Sequence, residues 1–99
     1  MTYIKALTDG INDEICDAKK YAEKAIEYKV KANNNRYKMY YEMANDELKH
    51  AKFLHDIVTE EIDQLRHTVT PPPDMVKAWE YRHREYVDKA RWIKKMLEL

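Results

Sequence analysis

The sequence has little of what builds disulfide-stapled, all-β or membrane-embedded proteins. It holds one cysteine, Cys16, which excludes an internal disulfide and a cysteine-based zinc site. It has one glycine, Gly10, and its three prolines stand together at Pro71, Pro72 and Pro73. A chain of short strands needs turn residues at frequent intervals, and that punctuation is missing. Neither charge sign prevails, because 18 basic side chains cancel 18 acidic ones. No single-sign field therefore marks a nucleic acid or an acidic bilayer as a partner. No apolar run approaches the roughly 18 to 20 residues of a membrane span, and Met1 to Asn12 lacks the apolar core of a signal peptide. The expectation is a soluble, cytoplasmic protein with no nucleic-acid partner and no membrane.

What is present suits helices. Ala, Lys, Glu, Met and Leu recur throughout the 99 residues, a length that holds one domain. Asn33-Asn34-Asn35 and the proline cluster are the two breaks, since Asn caps helices and Pro ends them. The pattern predicts an all-α chain of three helices. Helix 1 runs from near Thr2 or Thr8 to about Lys31, helix 2 from about Asn34 to Thr68, and helix 3 from Asp74, as N-cap, to about residue 98. One small core without covalent staples is marginal at this size, so a homodimer or higher homo-oligomer is expected.

Spacings of three and four give the face each helix buries. Helix 1 shows Ile4, Leu7, Ile11, Glu14, Ala18, Tyr21, Ala25 and Tyr28. Helix 2 shows Tyr37, Tyr40, Ala44, Glu47, Ala51, Leu54, Val58, Glu61 with Ile62, and Leu65. Helix 3 shows Val76, Trp79, His83, Tyr86, Ala90, Ile93 and Leu97. Each seam contains an ionisable group, and burying an unpartnered charge costs on the order of several kcal/mol or shifts its pKa. The plain account is that Glu14 and Glu47 reach past the seam to a Lys or Arg on a neighbouring helix.

The arrangement of Glu14, Glu47 and His50 offers another account. Glu47 and His50 form an E-x-x-H step, which puts both side chains on overlapping faces of helix 2. Glu14 and Glu47 lie roughly 17 and 14 residues either side of the Lys31–Asn34 turn, or roughly 25 and 21 Å along their helices. An antiparallel hairpin brings both carboxylates to nearly one level, where they can share a metal. The segment Ala44-Asn45-Asp46-Glu47-Leu48-Lys49-His50-Ala51-Lys52 resembles the metal-binding helix of rubrerythrins, and residues 11 to 66 resemble half a bundle of the ferritin-like superfamily, rubrerythrin and bacterioferritin branch. Short ferritin-like proteins of phages and prophages, with a similar Trp- and His-containing last helix, are part of this likeness.

The resemblance implies Glu14, Glu47 and His50 as metal ligands, with Tyr21 and Asp46 as partners that orient them. A full ferritin-like bundle supplies Glu, E-x-x-H, Glu, E-x-x-H, and this chain supplies half. Two copies in a homodimer would complete a four-helix bundle and the ligand set for two iron or manganese ions. Ferroxidase or peroxide-scavenging activity is what the family likeness implies. Nothing in the sequence resembles the cysteine-rich electron-transfer domain of rubrerythrins, so an external electron donor is expected.

Helix 3 carries a second E-x-x-H, Glu80 and His83. Counting back from the proline turn sets His83 opposite Val58 to Glu61, roughly 16 to 20 Å from Glu47. Glu61 is the expected partner of His83 within the chain, and a second subunit could instead bring His83 to the metal. His55 and His67 read as packing or surface residues, and Cys16 has no His near it that would make it a catalytic thiol. The competing function is a metal-free helical interaction module, phage-encoded or otherwise, in which the Glu and His groups are structural pairs.

Overall fold

The computed structural model describes residues 2–99. Three helices account for nearly all of them: α1 (Thr2–Val30), α2 (Asn34–Thr68) and α3 (Pro73–Glu98). The expected boundaries hold to within a residue or so, because strong breakers lie at both ends of α2.

The first turn is a tight one. The amide of Asn33 donates to the carbonyl of Tyr28 at 2.9 Å and that of Ala32 to Lys29 at 3.1 Å. This is the paired closure that ends a helix through a left-handed residue. Ala32 occupies that position at φ 58°, where glycine would carry no Cβ penalty. Asn33 then caps α2, its side-chain oxygen accepting from the amide of Arg36 at 3.2 Å.

The start of α3 corrects one expectation. Pro72 is the N-cap and Pro73 the first helical residue, so Asp74 lies inside the first turn and makes no cap bond. Proline fits there because its missing N–H would have no partner in any case, and the Asp74 carboxylate meets the positive end of the helix dipole.

α1 and α2 form a long antiparallel hairpin whose seam is rich in alanine. Ala18, Ala22, Ala25, Ala44 and Ala51 are buried among Ile11, Ile15, Leu48, Val58 and Ile62. Small residues let the helix axes approach, and a Cβ at Gly10 would stand only 3.1 Å from Leu54 Cδ1. α3 returns along the hairpin, burying Ala90, Ile93 and Leu97, and packs more on α1 than on α2. Its end is tied to the end of α1 by a hydrogen bond from Lys29 Nζ to the carbonyl of Leu99.

The result is a rod of 55 × 17 × 16 Å with a radius of gyration of 16.1 Å, against about 13 Å for a compact chain of this length. One face of α2 stays bare, with Met39, Phe53 and Ile57 exposed and Phe53 at 64%. No described helix is long and apolar enough to cross a membrane.

Replacing Ala32 with glycine should remove the left-handed penalty, about 1 kcal/mol, and raise Tm by about 4–8 °C. Asn33→Ala should lower stability by about 1 kcal/mol through loss of the cap. Thermal melts of the two variants check both signs.

Candidate metal centre

Glu14 projects from the middle of α1, and Glu47 and His50 project one turn apart from α2. The hairpin register brings them together, as the arm lengths predicted. His50 Nδ1 lies 3.6 Å from Glu14 Oε2 and 3.5 Å from Glu47 Oε1. One ligand atom from each of the three residues falls within 4.8 Å of the other two. Two donors held about 2.1 Å from one ion at a right angle stand about 3 Å apart, so a small inward adjustment would suit a single cation.

The local chemistry is unbalanced without a positive charge. Glu14 Oε2 is buried and has no hydrogen-bond partner, and no Lys or Arg pairs with Glu14 or Glu47 through a salt bridge among the described residues. The alternative account, in which these carboxylates reach a neighbouring Lys or Arg, therefore has no such pair behind it. The Glu47 carboxyl is pushed from 4.5 up to about 7. The main cause is a hydrogen bond shared with Glu14, followed by burial and the Glu14 charge; Asp17 adds to the rise and His50 opposes it. The closeness of the two carboxyls thus favours a protonated, neutral Glu47 up to near neutrality.

Exposure is graded across the cluster. The side chains of Glu47 and Glu14 are 20% and 29% exposed, and that of His50 is 55% exposed. The carboxylates lie toward the helix seam and the imidazole toward solvent.

The other residues singled out by sequence fall elsewhere. Tyr21 is half-buried about two turns along α1 from Glu14, its ring stacked on Tyr40 at 6.2 Å, and Tyr40 lies parallel to Tyr28 at 5.6 Å. It belongs to an aromatic layer that runs toward the hairpin turn. Asp46 and Glu80 are exposed. Glu61 is half-buried and borders a shallow depression with Tyr3, Ile4, Gln64 and Leu65.

His83 is exposed rather than seam-buried, and its partner is not Glu61. Its Nδ1 stands 2.6 Å from His55 Nε2. The register differs because the second connection is not a tight turn: Val69 is extended and Pro72 polyproline-like, so its length does not count as helical rise. Two participants escape the sequence reading. Asp17, whose charge acts on Glu47, shows itself only as an acidic residue one turn after Glu14, and His55 lacks any spacing signal.

Comparison with protein-family models, with curated proteins and with solved structures returned no match. The assignment of function therefore rests on the site.

The raised Glu47 pKa sets a pH dependence for the metal-free protein. A raised carboxyl pKa means the folded state holds the proton more tightly than the unfolded chain. The associated stability is fully present below about 4.5 and is lost as pH rises through about 7. Melts in chelator across this window should show Tm falling with pH, and Glu47→Gln, which keeps a donor at every pH, should flatten that decline.

Proposed function

We propose that this is a ferritin-like carboxylate protein that binds two iron or manganese ions at a site completed by a second copy of the chain. The observation that carries the reading is the buried, unpartnered Glu14 Oε2 inside a cluster of two carboxylates and an imidazole. A hard divalent cation with some affinity for imidazole is the species that satisfies that donor set.

Half a ligand set per chain argues for a homodimer, and the surface around the site supports it. Met39, Met43, Asp46, His50, Phe53 and Ile57 follow one another along α2 at alternating steps of four and three. That is the spacing of a helix seam, and His50 lies in its middle. A second hairpin packed there would cover the exposed apolar groups, enclose the imidazole and supply Glu14, Glu47 and His50 again, giving a four-helix bundle.

Glu14, Glu47 and His50 of two chains would hold ferrous or manganous ions that would supply redox chemistry toward dioxygen or peroxide, with ferrous iron itself the substrate in a ferroxidase. The chain's own residues bind and orient. Glu14 and Glu47 would neutralise the cation's charge, His50 would supply a nitrogen from the exposed side, and the Glu47 proton would leave as a cation enters. Affinity therefore rises with pH through about 7. The electrons would come from a separate reductant.

The alternative, a metal-free interaction module, draws on the same raised pKa, since a protonated Glu47 is neutral without an ion. Elemental analysis of untagged protein combined with solution mass decides between them. About one iron or manganese per chain in a dimer is expected, with loss of nearly all metal in Glu47→Ala and in His50→Ala. A metal-free protein after growth and purification with iron and manganese supplied would exclude the di-metal reading.

A further inference from the structure

We infer that His55 and His83 form a second metal site, separate from the carboxylate centre, that takes an imidazole-preferring transition-metal ion such as Zn(II) between α2 and α3. Two ring nitrogens from different helices face each other here at 2.6 Å. Neutral imidazole nitrogens are good zinc ligands, and a nitrogen–nitrogen contact this close is attractive only with a hydrogen or a cation between them.

The surroundings hold His55 as a ligand. Its side chain is 17% exposed, and its ring packs against Trp79 at 5.6 Å and Tyr86 at 4.9 Å. On the far side, Nδ1 lies 3.5 Å from Asp56 Oδ1. A carboxylate behind an imidazole keeps the hydrogen on that nitrogen and leaves the opposite lone pair free, the arrangement that orients metal-bound histidines.

His83 provides the adjustment. It is exposed, so its ring can withdraw to the separation of about 3.3 Å that two tetrahedral bonds of about 2.05 Å require. Its hydrogen moves from Nδ1 to Nε2 as the ion binds, and water fills the remaining positions. The nearby cations are engaged: Lys89 and Arg82 with Glu85 at 3.0 and 4.0 Å, and Lys52 with Asp56 at 3.2 Å. An all-nitrogen donor pair selects against the hard ions suited to Glu14 and Glu47. An ion here would link positions 28 residues apart across the proline turn, where α2 and α3 otherwise touch little.

The test adds Zn(II) to chelator-stripped His50→Ala protein, in which the carboxylate centre is disabled. Saturating Zn(II) should raise Tm by about 5 °C or more and shift the side-chain ¹⁵N resonances of His55 and His83. Adding His83→Ala or His83→Gln, both at an exposed position, should abolish the Tm rise. No rise in His50→Ala, or an equal rise with and without His83, overturns the proposal, and either result leaves the reading of the carboxylate centre untouched.

Discussion

The register of the α1–α2 hairpin is the constraint on which the rest depends. A Schellman-type turn at Lys31 to Asn33 fixes where the second helix begins, and an alanine-rich seam lets the two axes close together. Those two facts set Glu14 across from Glu47 and leave Glu14 Oε2 without a donor. A slip of one residue in either helix would rotate one carboxylate by about 100° and separate the pair. The tension in the site comes from backbone geometry established some five helical turns away, about 25 Å.

No arginine or lysine salt bridge among the described residues relieves that tension. A structural carboxylate buried at a helix seam normally finds an arginine or lysine, whereas here the adjoining groups are a second carboxylate and a half-exposed imidazole. The neighbouring Glu14 and burial raise the Glu47 carboxyl to about 7, so its protonation is finely balanced near neutral pH. His50 joins the uncovered apolar stripe of α2 to this cluster, so on the proposed reading ion binding and subunit association would draw on one surface.

Much of this was legible in the sequence, and for identifiable reasons. Helix ends were readable because Asn33 and the prolines are strong local signals. The convergence of Glu14, Glu47 and His50 followed from counting residues on each side of one short turn, where error has little length to accumulate. Burial was read less well: Ile15, Ala22 and Leu48 are core residues that a single-file stripe at steps of three and four passes over, since α1 and α2 present broad apolar arcs to two neighbours. The place of His83 was missed because the second connection is extended rather than tight, and its length along the rod cannot be counted as helical rise. Asp74 lost the cap role to Pro72 because proline's fixed φ starts the helix one residue sooner.

The uneven anchoring of α3 has its own consequence. Its second half is secured by Ala90, Ile93 and Leu97 and by the tie from Lys29 to the chain end, while its first half leans on a stack of Trp79, Tyr86 and two imidazoles at the rod's flank. Cooperative units open where apolar burial is thinnest, so the arm from Pro73 to about Arg84 is the part of the molecule that peels away at least cost. Amide protection would accordingly climb along α3 from Pro73 toward Leu97.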